Sequence, residues 1–241
     1  MARVFITGSA DGLGQLAAKA LIAQGHQVVL HARNETRGQQ AMDQVRGAEG
    51  VVTANLANMD NTKELASKVN ALGTFDAIIH NAGVYQDSPQ QIFAVNTLAP
   101  YILTCLIRRP ERLIYLSSGL HMQAHFRPES FNVGRVSYSD SKLHVLLLAK
   151  AVARRWTDVY SNAVDPGWVP TKMGGKGAPD DLQKGYETQV WLCTSNDADA
   201  RVSGHYFHHR KVTRHNREAD DVRLQERFLS LCEEVTGVSF P

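Results

Sequence analysis

The chain of 241 residues carries 26 basic and 24 acidic side chains, and its net charge of +2 gives no strong field that would favour nucleic acid or an anionic membrane as a partner. An apolar fraction of 43% with 18 glycines and 8 prolines is ordinary for a globular protein, and the length suits one α/β domain over residues 1–241. Three cysteines, odd in number and far apart, exclude a disulfide framework and a cysteine-based zinc site, so we expect a cytoplasmic protein with a small-molecule ligand.

Short apolar runs alternate with segments of helical periodicity, which is the pattern of a parallel sheet covered by helices. In the first half of the chain we predict strands at 3–6, 27–32, 51–54 and 77–80 and helices at 12–24, 34–45 and 59–72. In the second half we predict helices at 91–106, 138–155, 182–192 and 220–236 and strands at 112–117, 158–164 and near Tyr206. The predicted fold class is therefore α/β, a doubly wound Rossmann fold of about seven parallel strands with helices on both faces.

A stretch rich in glycine follows the predicted strand at 158–164. Residues 173–179 read Met-Gly-Gly-Lys-Gly-Ala-Pro and are flexible by composition. We interpret residues 173–190 as a substrate lid and not as a linker to a second domain. Substrate specificity is expected from this lid and from residues 118–135, but no rule decodes such loops, so the substrate and the direction of the reaction stay open.

A glycine-rich turn joins the first predicted strand to the first helix. Its spacing is Gly-x-x-x-Gly-x-Gly, which differs from the general dinucleotide fingerprint, and by itself such a turn can also serve packing alone. Between a strand and a helix, however, glycines let backbone amides approach a pyrophosphate at the helix N-terminus. The expected cofactor contacts of this turn are Gly8, Ser9, Asp11, Gly12, Leu13 and Gly14.

The end of the second strand bears on the choice between NADP and NAD. Ala32 stands where a carboxylate would bind the ribose 2′-hydroxyl of NAD, and Arg33 follows with a guanidinium that can clamp a 2′-phosphate. We predict NADP(H) as the preferred cofactor, with NAD(H) possible, and Arg33 and Asn34 as contacts; the alternative is a solvated arginine. Asp11 leaves the choice open, because its carboxylate can either repel a 2′-phosphate or cap the first helix.

Further motifs follow the glycine turn in a fixed order along the chain: Asn81-Ala82-Gly83, Asn96, Ser117-Ser118, Tyr138-x-x-x-Lys142 and Pro166-Gly167. In this order they resemble the short-chain dehydrogenases/reductases over about residues 3–171. Residues 29–33 are most similar to the NADP-using carbonyl reductase and retinol dehydrogenase branch. The resemblance implies an enzyme that transfers a hydride between a nicotinamide cofactor and a carbonyl or alcohol substrate.

Tyr138 and Lys142 are four residues apart, so a helix places them on one face, where the lysine ammonium can lower the pKa of the phenol. A free tyrosine titrates near ~10, so such a shift would suit a base at neutral pH. The resemblance implies that Tyr138 exchanges a proton with the substrate oxygen, which Ser118 orients. It also implies that Lys142 binds the nicotinamide ribose and that Asn96 supports a water-mediated proton relay. Ser117 is then expected to make only a strand-end hydrogen bond.

The resemblance extends the expected cofactor site. Asn55 stands where many family members carry an aspartate that binds the adenine amino group, and its amide oxygen can accept the same bond. Val169 is expected against the nicotinamide carboxamide, and Thr171 beside the phosphates. The further expected contacts are Asn55, Leu56, Asn81, Ala82, Gly83, Tyr138, Lys142, Pro166, Gly167, Val169 and Thr171.

Histidines are frequent near the end of the chain, at 205, 208, 209 and 215, but we expect no metal site. His208 and His209 are adjacent, so in a strand their side chains would point to opposite faces. His121 and His125 follow Ser118 and could reach the substrate pocket, but we expect them in a solvated loop.

Two alternatives to an oxidoreductase remain at this level. A non-catalytic NADP(H)-binding redox sensor would use the same pocket, but it would not need Ser118, Tyr138 and Lys142 together. An epimerase on this scaffold is disfavoured, because that branch usually has a different glycine spacing. A homodimer or homotetramer through the long helix that carries Tyr138 is compatible with the resemblance, and so is a monomer.

Overall fold

The computed structural model describes residues 1–133 and 136–241 and alternates strands with helices through most of that length. The strands are β1 (Arg3–Ile6), β2 (Gln27–Ala32), β3 (Gly50–Thr53), β4 (Ala77–His80), β5 (Arg112–Leu116), β6 (Tyr160–Asp165), β7 (Tyr206–His208) and β8 (Lys211–Val212). The helices are α1 (Gly12–Ala23), α2 (Glu35–Gln44), α3 (Met59–Ala71), α4 (Pro89–Ile92), α5 (Ala99–Leu106), α6 (Glu129–Val133), α7 (Tyr138–Arg155), α8 (Leu182–Thr194) and α9 (Val222–Thr236).

All eight strands form one sheet in the order β3-β2-β1-β4-β5-β6-β7-β8. The first seven are parallel and β8 is antiparallel to β7, so the predicted doubly wound fold is confirmed and gains a short antiparallel edge. The order reverses between β1 and β4, and ligands of such sheets bind outside the carboxyl ends of the strands at this point.

Apolar side chains cover both faces of the sheet. One core cluster contains apolar residues of α3, α5, α7 and α9, including the buried run Leu146, Leu147 and Leu148, and the other contains residues of α1, α2 and α8. The central strands β4 and β5 are buried along their whole length, as parallel strands between two helical layers must be.

The predicted helix at 91–106 has an unforeseen irregularity. Residues Phe93–Leu98 between α4 and α5 form a π-helical stretch that contains Asn96. A π-helical turn widens a helix locally and is frequent at functional sites.

The predicted lid divides into two parts. Residues 182–190 belong to α8, whose Gly185, Thr188 and Gln189 are buried and which packs against α1. The lid stays a prediction, now limited to residues 173–181. Of the segment 118–135, in which specificity was also expected, residues 134 and 135 lie outside the described residues. In the part of the chain that the structure describes, no helix is long and apolar enough to cross a bilayer.

Candidate active site

Four hydrogen bonds connect the glycine turn after β1 to the end of β4. The Thr7 hydroxyl accepts from the backbone N–H of Asn81 and of Ala82, both at 3.0 Å. The Asn81 amide donates in turn to the carbonyls of Thr7 at 2.9 Å and Gly8 at 3.0 Å. The motif Asn81-Ala82-Gly83 therefore holds the glycine turn in place.

Two glycines of the turn are required by this close approach. A Cβ on Gly8 would stand 2.8 Å from Ala82 Cα, and one on Gly14 would stand 2.7 Å from the Gly8 carbonyl oxygen. Gly12 has φ +55° and faces open space at the start of α1. A backbone cradle free of side chains at a helix N-terminus fits the pyrophosphate of a dinucleotide.

His31 holds the turn from the β2 side, and the sequence analysis missed it. Its Nδ1 accepts from the Gly8 N–H at 3.0 Å, so the ring is the neutral tautomer whose Nε2–H donates to the Ala54 carbonyl at 3.1 Å. Burial lowers the pKa of His31 to about 4, against the Ala54 hydrogen bond, which raises it. A polar residue within the buried part of strand β2 was the available signal.

The outer end of the cleft carries more charge than the sequence analysis foresaw. Arg33 and Arg37 both line it. The Asp11 carboxylate does not cap α1; it forms an ion pair with Arg37 and lies 3.5 Å from Lys172 Nζ. The capping alternative is therefore wrong. Arg37 lies four residues after Arg33, a spacing that could have revealed it.

The cleft along the carboxyl edge of the sheet has a volume of about 550 Å³, within the range of ligand pockets. The predicted cofactor residues that line it are Gly8, Asp11, Gly12, Leu13, Arg33, Asn55, Leu56, Asn81, Ala82, Gly83, Tyr138, Lys142, Pro166 and Thr171. The predicted residues that do not line it are Ser9, Gly14, Asn34, Gly167 and Val169.

Three of the predicted residues outside this lining make structural contacts instead. The Ser9 hydroxyl donates to the Ile6 carbonyl and accepts from the His31 N–H, both at 2.9 Å. The Asn34 side chain caps α2 by accepting from the Arg37 N–H at 3.0 Å. Val169 is buried against Gly185 of α8.

Tyr138 and Lys142 come together at the first turn of α7. Ser137 and Asp140 form a capping box there, so α7 begins at Tyr138 itself. Lys142 Nζ lies 5.3 Å from the centre of the Tyr138 ring and donates to the Leu116 carbonyl at 2.8 Å. The ammonium therefore faces the ring and the end of β5.

Burial dominates the titration of both groups. It raises the pKa of Tyr138 to about 12; the Ser118 hydroxyl lowers this pKa, while Asp165 and Tyr85 raise it. Burial lowers the pKa of Lys142 to about 8, and only the Asp165 carboxylate opposes it. In this arrangement the desolvation of the phenol outweighs the lowering of its pKa that the spacing of Tyr138 and Lys142 predicts.

Asn96 joins the π-helical stretch to α7. Its Oδ1 accepts from the Val84 N–H at 2.8 Å, and its Nδ2 donates to the Val84 carbonyl at 2.9 Å and to the Ser141 hydroxyl at 3.0 Å. Ser141 donates to the Tyr138 carbonyl at 2.7 Å. A Cβ on Gly83 would stand 3.4 Å from Asn96 Oδ1 and 3.5 Å from Lys142 Nζ, so both polar atoms flank the same glycine.

The two serines at the end of β5 have different surroundings. The buried Ser117 hydroxyl donates to the Lys142 carbonyl at 2.9 Å, which confirms its expected structural role. Ser118 is half-buried and caps a 3₁₀ segment, Gly119–Gln123, by accepting from the Leu120 N–H at 3.3 Å. Ser118 is therefore the serine whose hydroxyl acts on Tyr138.

The loop after Ser118 is not the solvated loop expected for both of its histidines. His121 is fully buried: its Nδ1–H donates to the Ser118 carbonyl at 2.6 Å, while its Nε2 accepts from the Asn216 N–H at 3.2 Å. His125 is largely exposed and pairs with Glu218. The segment before α9 thus holds this loop in place, a long-range contact that no local pattern reveals.

His208 and His209 do not point to opposite faces of a strand, so that prediction is wrong. His209 has φ +48° in the turn after β7, and the two ring centres are 3.7 Å apart. Among the described residues, no group of three His, Cys, Asp or Glu side chains is arranged to hold a metal ion.

Comparison with known proteins identifies relatives over the whole chain. Residues 2–109 match the family model described as short chain dehydrogenase. The chain is 42% identical to an uncharacterized oxidoreductase of Emericella nidulans, with 100% of this chain and 99% of the relative covered. It is 41% identical to the short-chain dehydrogenase chyC of Penicillium rubens, with both chains covered completely.

Among solved structures, the fold is similar to that of a short chain dehydrogenase of Shigella flexneri complexed with NADP. The TM-score is 0.69 at 21% identity, over 87% of this chain and 97% of that one. At this identity the similarity concerns the fold.

Proposed function

The chain belongs to the short-chain dehydrogenase/reductase family and is an NAD(P)-dependent oxidoreductase, and from this premise we propose that it interconverts a carbonyl compound and an alcohol with Tyr138 as general acid and base. The observation that carries the proposal is the convergence of Tyr138, Ser118 and Lys142 where the cleft meets the carboxyl end of β5. A redox sensor would have no use for a phenol, a hydroxyl and an ammonium at this one point.

The residues of the cleft suit a dinucleotide cofactor. The backbone cradle of Gly8, Gly12 and Gly14 suits the pyrophosphate, and Lys142 would bind the nicotinamide ribose. When bound, the nicotinamide supplies or accepts the hydride. The protein's own side chains orient the substrate and transfer the proton.

In the direction of reduction, Tyr138 donates its proton to the substrate oxygen. With a pKa of about 12, the phenol is protonated at neutral pH, as a proton donor must be. The Ser118 hydroxyl donates a hydrogen bond to the same oxygen and stabilises the negative charge that develops there. Oxidation of an alcohol uses the same groups in reverse.

Tyr138 must regain its proton after each reduction. Lys142 Nζ and Asn96 Oδ1 both flank Gly83, and Asn96 belongs to the π-helical stretch. We assign them to the proton relay, with Asn96 also positioning α7 through Ser141.

NADP(H) is the preferred cofactor in this proposal, with NAD(H) as the alternative. Arg33 and Arg37 offer two guanidinium groups at the outer end of the cleft, and guanidinium binds phosphate oxygens in a fixed fork. Asp11 is paired with Arg37 and Lys172, so its charge is compensated and does not oppose a 2′-phosphate.

Residues 173–181 serve as the substrate lid in this proposal. Met173 lines the cleft, and Trp168, which is 60% exposed, donates from Nε1 to the Gly174 carbonyl at 2.8 Å. This contact links the lid to the loop after β6. An exposed indole and thioether beside the cleft favour apolar substrates.

The test is the Tyr138→Phe variant, assayed by nicotinamide absorbance with NADPH and NADH against a panel of aldehydes, ketones and quinones. We expect kcat to fall by about a hundred- to ten-thousandfold, since general acid catalysis supplies this much, while NADPH affinity is retained. The control is Tyr85→Phe, because the Tyr85 ring lies edge-on to the Tyr138 ring at 4.8 Å and its loss of a hydroxyl leaves the proton path intact. Tight NADPH binding with no turnover by the native protein would favour the sensor.

A further inference from the structure

Asp165 is a carboxylate at the active-site edge of the sheet for which the reaction outlined above has no use. It ends β6, where Val164 pairs with Leu116 of β5 and Asp165 pairs with His208 of β7. A Cβ on Gly119 would stand 3.1 Å from Asp165 Oδ2. The carboxylate therefore lies against the residue that follows Ser118.

The carboxylate is fixed in place but poorly compensated. Its Oδ1 accepts from the Gly167 N–H at 2.9 Å, and its side chain is only 18% exposed. Within the described ranges, the sole cationic group within 4 Å of it is the His208 ring, with Nδ1 at 3.7 Å from Oδ2. His208 can compensate the carboxylate only when its own ring is protonated, so within the described ranges Asp165 has no permanently charged cation within 4 Å.

Lys142 likewise lacks a close partner of opposite charge. Its side chain is buried, and its ammonium has the Leu116 carbonyl as hydrogen-bond partner, with no carboxylate within 4 Å among residues 1–133 and 136–241. A buried cation without a compensating charge loses its proton readily. The groups within range of the Asp165 charge are Tyr138 and Lys142 of α7, His121 after β5, and Tyr206 and His209 on β7 and its turn.

We propose that Asp165 is a positioning residue for the reaction, which acts through space as the counter-charge that keeps Lys142 protonated. The inference rests on the proposed function, in which a charged Lys142 and a protonated Tyr138 begin each reduction. It agrees with the direction of both pKa values, since the Asp165 carboxylate raises that of Lys142 against burial and adds to that of Tyr138.

The first test needs no turnover. Asp165→Asn removes the charge and keeps an oxygen that can accept from the Gly167 N–H. Lys142 is titrated by carbon-13 NMR of lysine-labelled apoprotein, and its signal is identified by its absence in Lys142→Met. We expect the Lys142 midpoint to fall by about one pH unit in Asp165→Asn. An unchanged midpoint would overturn the inference, whether or not the protein is a reductase.

Asp158→Asn is the matched control, because the Asp158 carboxylate lies just before the opposite end of β6, pairs with Arg109 at 3.2 Å and has no influence on the pKa of Lys142. It is expected to leave the Lys142 midpoint unchanged. Should Asp165→Asn not fold, as judged by circular dichroism, Asp165→Ser removes the charge with a smaller side chain.

The second test uses the reaction. If the Lys142 midpoint falls from about 8 by about one unit, the ratio of kcat at pH 6 to kcat at pH 8 should rise about fivefold in Asp165→Asn. Asp158→Asn should keep the native ratio. A shifted NMR midpoint with no turnover in any variant would reject the proposed function and leave Asp165 as the counter-charge of Lys142.

Discussion

Two arginines and an aspartate determine the charge at the outer end of the cleft. Arg33 follows β2 directly, and Arg37 lies one turn into α2, where it pairs with Asp11 of the glycine turn. Through this pair, Arg37 has two effects on a 2′-phosphate: it attracts the phosphate, and it compensates the carboxylate that would repel it. Both effects favour binding of the 2′-phosphate, so removal of Arg37 should weaken NADPH binding strongly.

We predict that Arg37→Ala raises the Kd of NADPH by about ten- to hundredfold, the range that a lost charge-assisted hydrogen bond gives, and changes that of NADH little. Arg46→Ala, an exposed arginine beyond the other end of α2, is the control for charge alone. Adding Asp11→Asn to Arg37→Ala should restore part of the NADPH affinity. Equal losses for both cofactors, measured by fluorescence titration, would contradict a role in NADP selection.

Single residues show where a sequence gives enough information and where it does not. Tyr138, Lys142 and Ser118 could be predicted because their spacing and order carry the signal. His31 and His121 could not, because their partners Ala54 and Asn216 are 23 and 95 residues away. The pKa of Tyr138 could not be foreseen either, since it depends on desolvation and on the direction of the Lys142 side chain.

At the scale of elements, the start of α7 determines where Tyr138 stands. Ser137 accepts from the Asp140 N–H at 3.1 Å, and the Asp140 carboxylate accepts from the Ser137 N–H at 3.3 Å. Because Tyr138 is the first residue of the helix, fraying of this turn would displace the phenol before any other catalytic group.

Ser137→Ala should therefore lower the free energy of unfolding by about 1 kcal/mol, the usual cost of a lost N-cap, and reduce kcat severalfold without changing the Kd of NADPH. Ser137→Thr keeps a hydroxyl and should restore both. Urea unfolding followed by circular dichroism and steady-state kinetics check the two effects. A loss of stability with unchanged kcat would mean that Ser141, through the Tyr138 carbonyl, holds the phenol alone.

The regular elements could be predicted to within a few residues because apolar periodicity is a local property. The π-helical stretch Phe93–Leu98 and the short helical segments Gly119–Gln123, Glu129–Val133 and Arg217–Asp220 escaped prediction. Their conformations are set by tertiary contacts such as those of Asn96 with Val84 and of Asn216 with Ala124. Two of these elements adjoin the site, since the π-helical stretch contains Asn96 and the segment Gly119–Gln123 is capped by Ser118.

For the whole molecule, the sheet order explains why distant motifs meet. The glycine turn follows β1, Asn81-Ala82-Gly83 follows β4 and Ser118 follows β5, and these three strands are neighbours in the sheet. Parallel strands bring their carboxyl ends to one edge, and α7 then adds Tyr138 and Lys142 beside it. Six short motifs spread over most of the chain thus become one cleft.

The outer face of α7 is covered by the chain's own C-terminus. Phe228 of α9 packs against His144 of α7, with ring centres 5.6 Å apart, and Glu226 pairs with both Arg154 and Arg155. The Tyr101 hydroxyl of α5 donates to the Val238 carbonyl at 2.7 Å. The face through which a homodimer or homotetramer would form along the long helix is therefore already occupied.

We accordingly expect light scattering after gel filtration to give the mass of one chain, 26.6 kDa, at all protein concentrations. Glu226→Lys would set like charges against Arg154 and Arg155, loosen α9 and bring concentration-dependent association through the uncovered face of α7. Glu234→Lys makes the same change in charge on the same helix, but Glu234 pairs with Arg227 within α9, so this control should stay monomeric. A native dimer that Glu226→Lys leaves intact would place the subunit interface away from α7, since association through that face requires α9 to move.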